Sequence, residues 1–213
     1  SSGTPEQLQA AERLLTSCGA AQACLGALKA WLGSMPRPER ALVGLQRLLA
    51  ASDDPAALVE MLAREPRLLY NLLTLFVGSQ YLSEILLSAP QYVDALADLS
   101  HLARPFAAEE LYQEARAAVA GPEAQGEASE RLCAVQRWHL LRIGLCDLAG
   151  LLDVSTVTQQ LSVLADVLIQ VALELAAAEC GADSGFCVLA LGKLGGTELN
   201  YSSDIDLLFV VEA

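Results

Sequence analysis

The chain has 213 residues, of which 54% are hydrophobic, and 26 Asp and Glu outweigh 13 Lys and Arg to give a formal net charge of -13. That apolar content builds a substantial core in one large or two small domains and excludes disorder for the bulk of the chain. The acidic balance excludes a nucleic-acid surface, which draws on clustered Lys and Arg, while leaving free nucleotide with a divalent metal open.

From the N-terminus to Cys180 the pattern is helical. Thr4 with Pro5 and Gln7 gives an N-cap, N1 and N3 start signal, and Asp54 with Pro55 repeats its first two elements. Breaks at Gly33 to Pro38, Ala51 to Pro55, Glu65-Pro66, Gly78-Ser79, Ala89-Pro90 and Arg104-Pro105 divide the chain into helices of ordinary globular length, so a helical bundle is expected. Two long apolar stretches carry polar residues along them: Asn71, Gln80 and Glu84 within 68–89, and Asp166, Gln170 and Glu174 within 163–178. Both read as amphipathic helices, and no membrane partner is expected.

GPEAQG, from Gly121 to Gly126, is the most linker-like stretch and sets an expected boundary between residues 1–126 and 127–213. Beyond it, 127–148 and 155–179 have helical periodicity, with Ser155 or Thr156 as the expected cap of the second. Cys18, Cys24, Cys133, Cys146, Cys180 and Cys187 form no C-x-x-C pair and read as reduced core thiols. No basic segment followed by an apolar run opens the chain, so the cytoplasm is the expected compartment.

The texture changes at Cys180, where a turn-rich run leads into Phe186–Leu191, expected to be a buried strand. A second apolar run, Ile205–Val211, is equally strand-like, so LGKLGGTELNYSSDIDLLFVV reads as strand, glycine loop or short helix, strand. Side chains alternate along a strand, which would project Asp204 and Asp206 from one side, at the entering end of a buried strand. Two neighbouring carboxylates repel unless a cation lies between them, and Mg²⁺ takes one or two carboxylates together with substrate phosphates. Gly192, Gly195 and Gly196 allow backbone amides close to phosphate oxygens, and Lys193 adds positive charge. A D-x-D alone is a weak signal, and Asn200–Asp204 also reads as a plain turn; the combination with strand and glycine loop points to nucleotidyl chemistry.

LALGKLGGTELNYSSDIDLLF closely resembles the signature of the glutamine synthetase adenylyltransferase family, within the nucleotidyltransferase superfamily that shares the DNA polymerase beta type of catalytic fold. Members of the family carry two catalytic halves. Their N-terminal half reads E-L-N-[FY]-S-S-D-I-D-L, matched here by Asn200, Ser202 and Ile205, whereas the C-terminal half tends to E-L-G-x-G-S-D-L-D-L. The segments 68–90 and 139–173 also resemble the helices that precede the N-terminal catalytic core. Counting from Gly192-Lys193 leaves ten residues before Asp204, against seven from Gly195-Gly196, and the superfamily spacing favours Gly192 as the strand-end glycine. Ser203 either donates to phosphate or closes the turn.

The resemblance implies a mostly α protein: a helical bundle followed by the start of a nucleotidyltransferase α/β core within 127–213. It implies Mg²⁺-dependent removal of AMP from an adenylylated tyrosine of glutamine synthetase by phosphorolysis. Asp204 and Asp206 would hold metal and act in catalysis, and Gly192, Lys193, Gly195, Gly196 and Ser203 would bind nucleotide (AMP, ADP or ATP) and phosphate. Adenylyl transfer in the opposite direction is disfavoured by the E-L-N-Y-S-S wording. Superfamily members use a third carboxylate from a later strand, so the chain is expected to be an N-terminal piece or short homologue with an incomplete site. Cys146 stands where the family commonly has Arg. The reading from another class is a noncatalytic helical docking module for glutamine synthetase or a nitrogen-signalling protein.

Three weaker signals complete the reading. His139 is expected to serve packing or sit at the surface rather than shuttle protons, and His101 carries no signal. Arg131, Arg137 and Arg142 read as surface charge in preference to phosphate ligands. Glu198 reads as a helix-turn carboxylate in preference to a third metal ligand.

Overall fold

The computed structural model describes residue 9 and residues 21–120, 124–181 and 185–212, leaving the start signal at Thr4, Cys18 and 121–123 of the linker-like stretch outside the described residues. After α1 (Ala21–Leu32), proline occupies the first turn of three successive helices, α2 (Pro38–Ala51), α3 (Pro55–Arg64) and α4 (Pro66–Gly78), where its missing N–H costs no helical bond. The Asp54 carboxylate accepts from the Ala56 and Ala57 amides, as the Asp-Pro pair predicts. Ser79 caps α5 (Gln80–Ser88) by accepting from the Leu82 amide. A 3₁₀ segment, Pro90–Ala97, and α6 (Leu99–Leu102) come next.

The chain continues with α7 (Ala108–Val119), α8 (Ala124–Leu148) and α9 (Val154–Cys180), then β1 (Phe186–Leu191), the single-turn α10 (Gly192–Gly195) and β2 (Asp206–Val211). The fold is thus mostly helical with a two-stranded antiparallel sheet, and the six short proline or glycine breaks fall at helix junctions, whereas Ala124, Gln125 and Gly126 of the linker-like stretch lie in α8. The cap of α9 is Asp153 rather than Ser155 or Thr156: its carboxylate accepts the Thr156 amide at 2.7 Å, and that bond holds the acid below the usual carboxylate range. A charged acceptor at the helix N-terminus outcompetes a hydroxyl one. At the other end, Gly181 turns left-handed at φ 64° and stops the helix.

Two compact units divide the chain, one of Ser1–Leu102 with Gly144–Leu151, the other of Ala103–Ile143 with Leu152–Ala213. In the first, α4 buries Leu68, Leu69, Leu72, Leu73 and Leu75 completely. Gly44 of α2 lets the Phe76 ring in so closely that a Cβ there would lie 2.2 Å from the ring. In the second unit, Leu111 and Ala115 of α7, Leu132 and Val135 of α8, and Leu164, Val167 and Val171 of α9 form one core cluster. Another joins Ile143, Val157 and Leu161 to Leu194 and Leu199 of the glycine loop. Helix α9 is long and apolar enough to cross a membrane by length and composition. Within this unit its Val157, Leu161, Leu164, Val167 and Val171 are buried in the two clusters.

Three further sequence expectations about burial and strand position need correction. The strands form, but neither is buried: Phe209 is 61% and Val211 68% exposed, because among the described residues each strand has one neighbour and only Ala190 and Leu207 lean on the second cluster. The second strand begins at Asp206, so Asp204 lies in the approach to it and strand alternation does not fix its direction. Of the five described cysteines, only Cys24 and Cys146 are core thiols; Cys133, Cys180 and Cys187 are exposed, as helix faces and an uncovered ribbon leave them.

Candidate active site

Strand register decides what the glycine loop faces. Leu191, the last residue of β1, pairs with Asp206, the first of β2, so the chain leaves β1 opposite a carboxylate. Gly192 then takes φ 57°, and a Cβ there would stand 3.1 Å from Asp206 Oδ2. Any side chain at 192 would strain the backbone and push the carboxylate aside. Gly195 is required for a different reason: a Cβ would come 2.5 Å from the Ala190 carbonyl oxygen, which is backbone and cannot yield. Its lack of a side chain lets α10 fold back against β1. Gly196 ends that turn, donating to the Gly192 carbonyl at 3.0 Å, and Lys193 lies exposed on it.

The turn closes with two reversed bonds, Glu198 N–H to Lys193 O at 2.8 Å and Thr197 N–H to Leu194 O at 3.0 Å. The position between them, usually glycine, is Thr197 at φ 59°. A β-branched residue there costs about 1–2 kcal/mol of backbone strain, localised at the end of the glycine loop.

Asn200 builds the next turn. Its Oδ1 accepts the Ser202 amide at 3.1 Å and the Ser203 hydroxyl at 2.7 Å, while its carbonyl accepts the Ser203 amide at 3.2 Å. The Ser203 hydroxyl therefore closes the turn, and donating its proton to a phosphate would require releasing Asn200. Asp204 comes directly after and is exposed, as is Asp206. Among the described residues neither carboxylate meets a cation in an ion pair, and no group of three or more His, Cys, Asp or Glu is placed to hold a metal; Glu198 therefore does not join the pair. Two exposed oxygen donors beside an open glycine loop fit a hard cation such as Mg²⁺, which keeps waters and fills its shell with substrate phosphates.

A family model for glutamate-ammonia ligase adenylyltransferase matches residues 69–213, which takes in the later helices, the glycine loop and both aspartates. The chain belongs to that family. Bifunctional glutamine synthetase adenylyltransferase/adenylyl-removing enzymes are similar over most of it. That of Streptomyces coelicolor is 35% identical over 96% of this chain, that of Nocardia farcinica 31% over 88%, and that of Idiomarina loihiensis 33% over 83%; the aligned part is 20% of each relative. The chain thus spans about a fifth of the length of the curated adenylyltransferases it matches.

Other residues of this adenylyltransferase-family chain stand differently from their sequence reading. Arg142 is buried, not a surface charge: it donates to the Arg104 carbonyl at 3.2 Å and to Gln160 Oε1 at 3.4 Å, and its guanidinium stacks 4.5 Å above the Phe106 ring. Arg137 is exposed, and Arg131 reaches the Ala118 carbonyl. His139 is buried as a packing residue, edge-on to Phe106, with Nε2 3.0 Å from Glu114 Oε2. The hydrogen bond from His139, ahead of the charges of His139 and Arg142, holds the Glu114 carboxyl below its usual range. Cys146, where the resemblance led us to expect Arg, is fully buried.

Two residues went unremarked in the sequence. Gln160 accepts the Phe106 amide and donates to the Phe106 carbonyl, and Ser162 accepts the Leu199 amide. Two polar residues set among Val157, Leu161, Val163 and Leu164 were the available signal.

Proposed function

We propose that this chain supplies the strand, glycine loop and carboxylate pair of an adenylyl-removing half acting on glutamine synthetase. The supporting observation is the convergence of Gly192, with its left-handed backbone, on Asp206 across the last rung of the ribbon, next to the turn that carries Asp204. Asn200 favours this half over the adenylylating one. Its side chain makes two of the turn's bonds, which the glycine typical of the other half has no atoms to make.

Asp204 and Asp206 would hold Mg²⁺, which when bound supplies neutralisation of the crowded phosphates and of the departing tyrosine oxygen. The chain's own groups orient. The amides of the glycine loop and the Lys193 ammonium would meet phosphate oxygens, and Gly192 keeps a side chain away from the Asp206 carboxylate. Inorganic phosphate would attack the AMP phosphorus as the tyrosine oxygen leaves and takes up the proton the phosphate gives up, yielding ADP and the unmodified tyrosine side chain of the synthetase. This chemistry is positioning and charge stabilisation, with no covalent enzyme intermediate.

Calorimetry of the 213-residue chain with ADP and Mg²⁺ tests the reading. Binding that needs the metal and disappears in the double variant Asp204→Ala with Asp206→Ala supports it; binding indifferent to either change rejects it. A noncatalytic docking module for glutamine synthetase or a nitrogen-signalling protein is the second reading, favoured by the lack, among the described residues, of three metal-binding groups in one place. It calls for binding of glutamine synthetase without any metal-dependent nucleotide binding.

A further inference from the structure

We propose that Ser162, in the middle of α9, is a positioning residue for the Asn200–Asp204 turn, and through it for the carboxylate pair; the role in metal binding rests on the function proposed above. A serine inside a helix commonly bonds back to the carbonyl one turn earlier, and Ser162 does so, donating to Thr158 O at 2.9 Å. That bond fixes the hydroxyl so that a lone pair is left for the Leu199 amide, 3.1 Å away and 37 residues further along the chain. Ser162 is fully buried and Leu199 is 8% exposed, amid Ile143, Val157, Leu161 and Leu194. Water has little access to replace the hydroxyl, so losing it leaves a buried N–H without an acceptor.

The residues just beyond Leu199 give this bond a functional consequence. Asn200 is the next residue and gathers Ser202 and Ser203 around its side chain and carbonyl, and Asp204 comes directly after. Helix α9 therefore holds the loop at the residue from which the turn is built. The apolar contacts of Leu194 and Leu199 bring the loop onto the helix, but such contacts are non-directional. The hydroxyl fixes the backbone at Leu199 to one rotation, and the turn inherits it.

Ser162→Ala in the full chain tests the role, with Val157→Ala as a control that trims the same cluster without touching the hydrogen bond. Amide exchange at Ser202 and Ser203 is expected to be about tenfold faster in Ser162→Ala, equivalent to losing one hydrogen bond's worth of order in the turn. Val157→Ala is expected to lower the thermal midpoint while leaving those two amides within about twofold of wild type. Mn²⁺ affinity, read by electron paramagnetic resonance, is expected to fall in Ser162→Ala and not in Val157→Ala. Unchanged exchange at Ser202 and Ser203 in Ser162→Ala overturns the positioning role. No Mn²⁺ binding by the wild-type chain, or equal binding by the Asp204→Ala, Asp206→Ala double variant, rejects the metal reading, while the amide measurement still decides Ser162. Should Ser162→Ala not fold, the wild-type Leu199 amide decides: slow exchange supports its bond to Ser162, and fast exchange overturns it.

Discussion

In the unit of Ser1–Leu102 with Gly144–Leu151, the interior is almost wholly aliphatic, with Ser83 its buried polar side chain among the described residues. The unit of Ala103–Ile143 with Leu152–Ala213 buries His139, Arg142, Gln160 and Ser162 among its leucines and valines. Their partners lie far off in sequence: Gln160 clamps Phe106, and Ser162 holds Leu199. An aliphatic core rewards any arrangement that keeps apolar volume together, whereas a buried polar group admits few partners and geometries. The unit carrying the candidate site is therefore the one whose interior is specified by directional bonds.

The largest effect that tests this contrast is a cavity in the aliphatic unit. Leu72 is fully buried in α4, and Leu72→Ala is expected to cost about 2–5 kcal/mol, since close-packed helices collapse only partly around the lost volume. Trp31, whose ring centroid stands 4.7 Å from that of Tyr70, reports on this unit, and denaturant titration of its fluorescence measures the loss. A change below about 1 kcal/mol would mean that the α4 surroundings are plastic and that the two interiors do not differ in this way.

The same contrast explains what the sequence disclosed. Prolines and glycines mark helix ends by local sterics, so Pro38, Pro55 and Pro66 announced three helix starts, and the leucine periodicity of α4 announced its buried face. The apolar runs 186–191 and 205–211 on either side of the glycines announced a strand-loop-strand because that signal too is short-range. Burial of the strands was misjudged because it depends on what lies over a sheet, and an apolar run looks alike whether covered or not. Arg142 was read as surface charge because the residues that receive it, Gln160 and the Arg104 carbonyl, are 18 and 38 positions away. Thr197 gave no warning of its left-handed backbone, since that conformation is imposed by the two bonds closing α10.

A smaller effect is expected from Gln160→Leu, which keeps nearly the same volume and so separates lost polar partners from lost packing. The Phe106 amide and carbonyl lose their partner, and Arg142 loses one acceptor. The cost is expected at about 1–3 kcal/mol, measured through Trp138, which belongs to this unit. A neutral or stabilising result would show that an apolar interior serves here equally well, and that directional bonding is not what specifies the unit.

The smallest effect concerns pH. Glu114 is held below its usual range chiefly by the hydrogen bond with His139, so the fold favours its ionised form. That stability is present above the unfolded carboxylate value, near about 4.3, and is lost as pH falls through the lower folded value. Asp166 on α9 works in the opposite sense: burial raises its carboxyl, so its contribution is present below the unfolded value and is lost as pH rises through the folded one. Between about pH 5 and 3, Glu114→Gln is therefore expected to flatten the acid loss of stability seen by Trp138, and Asp166→Asn to steepen it. Because the Glu114 side chain is 47% exposed, solvent screens the interaction and added salt should shrink the Glu114→Gln difference. Identical acid profiles for wild type and Glu114→Gln would place the His139 contact among packing interactions alone, and would leave Gln160, Arg142 and Ser162 as the directional groups that separate this unit from its aliphatic counterpart.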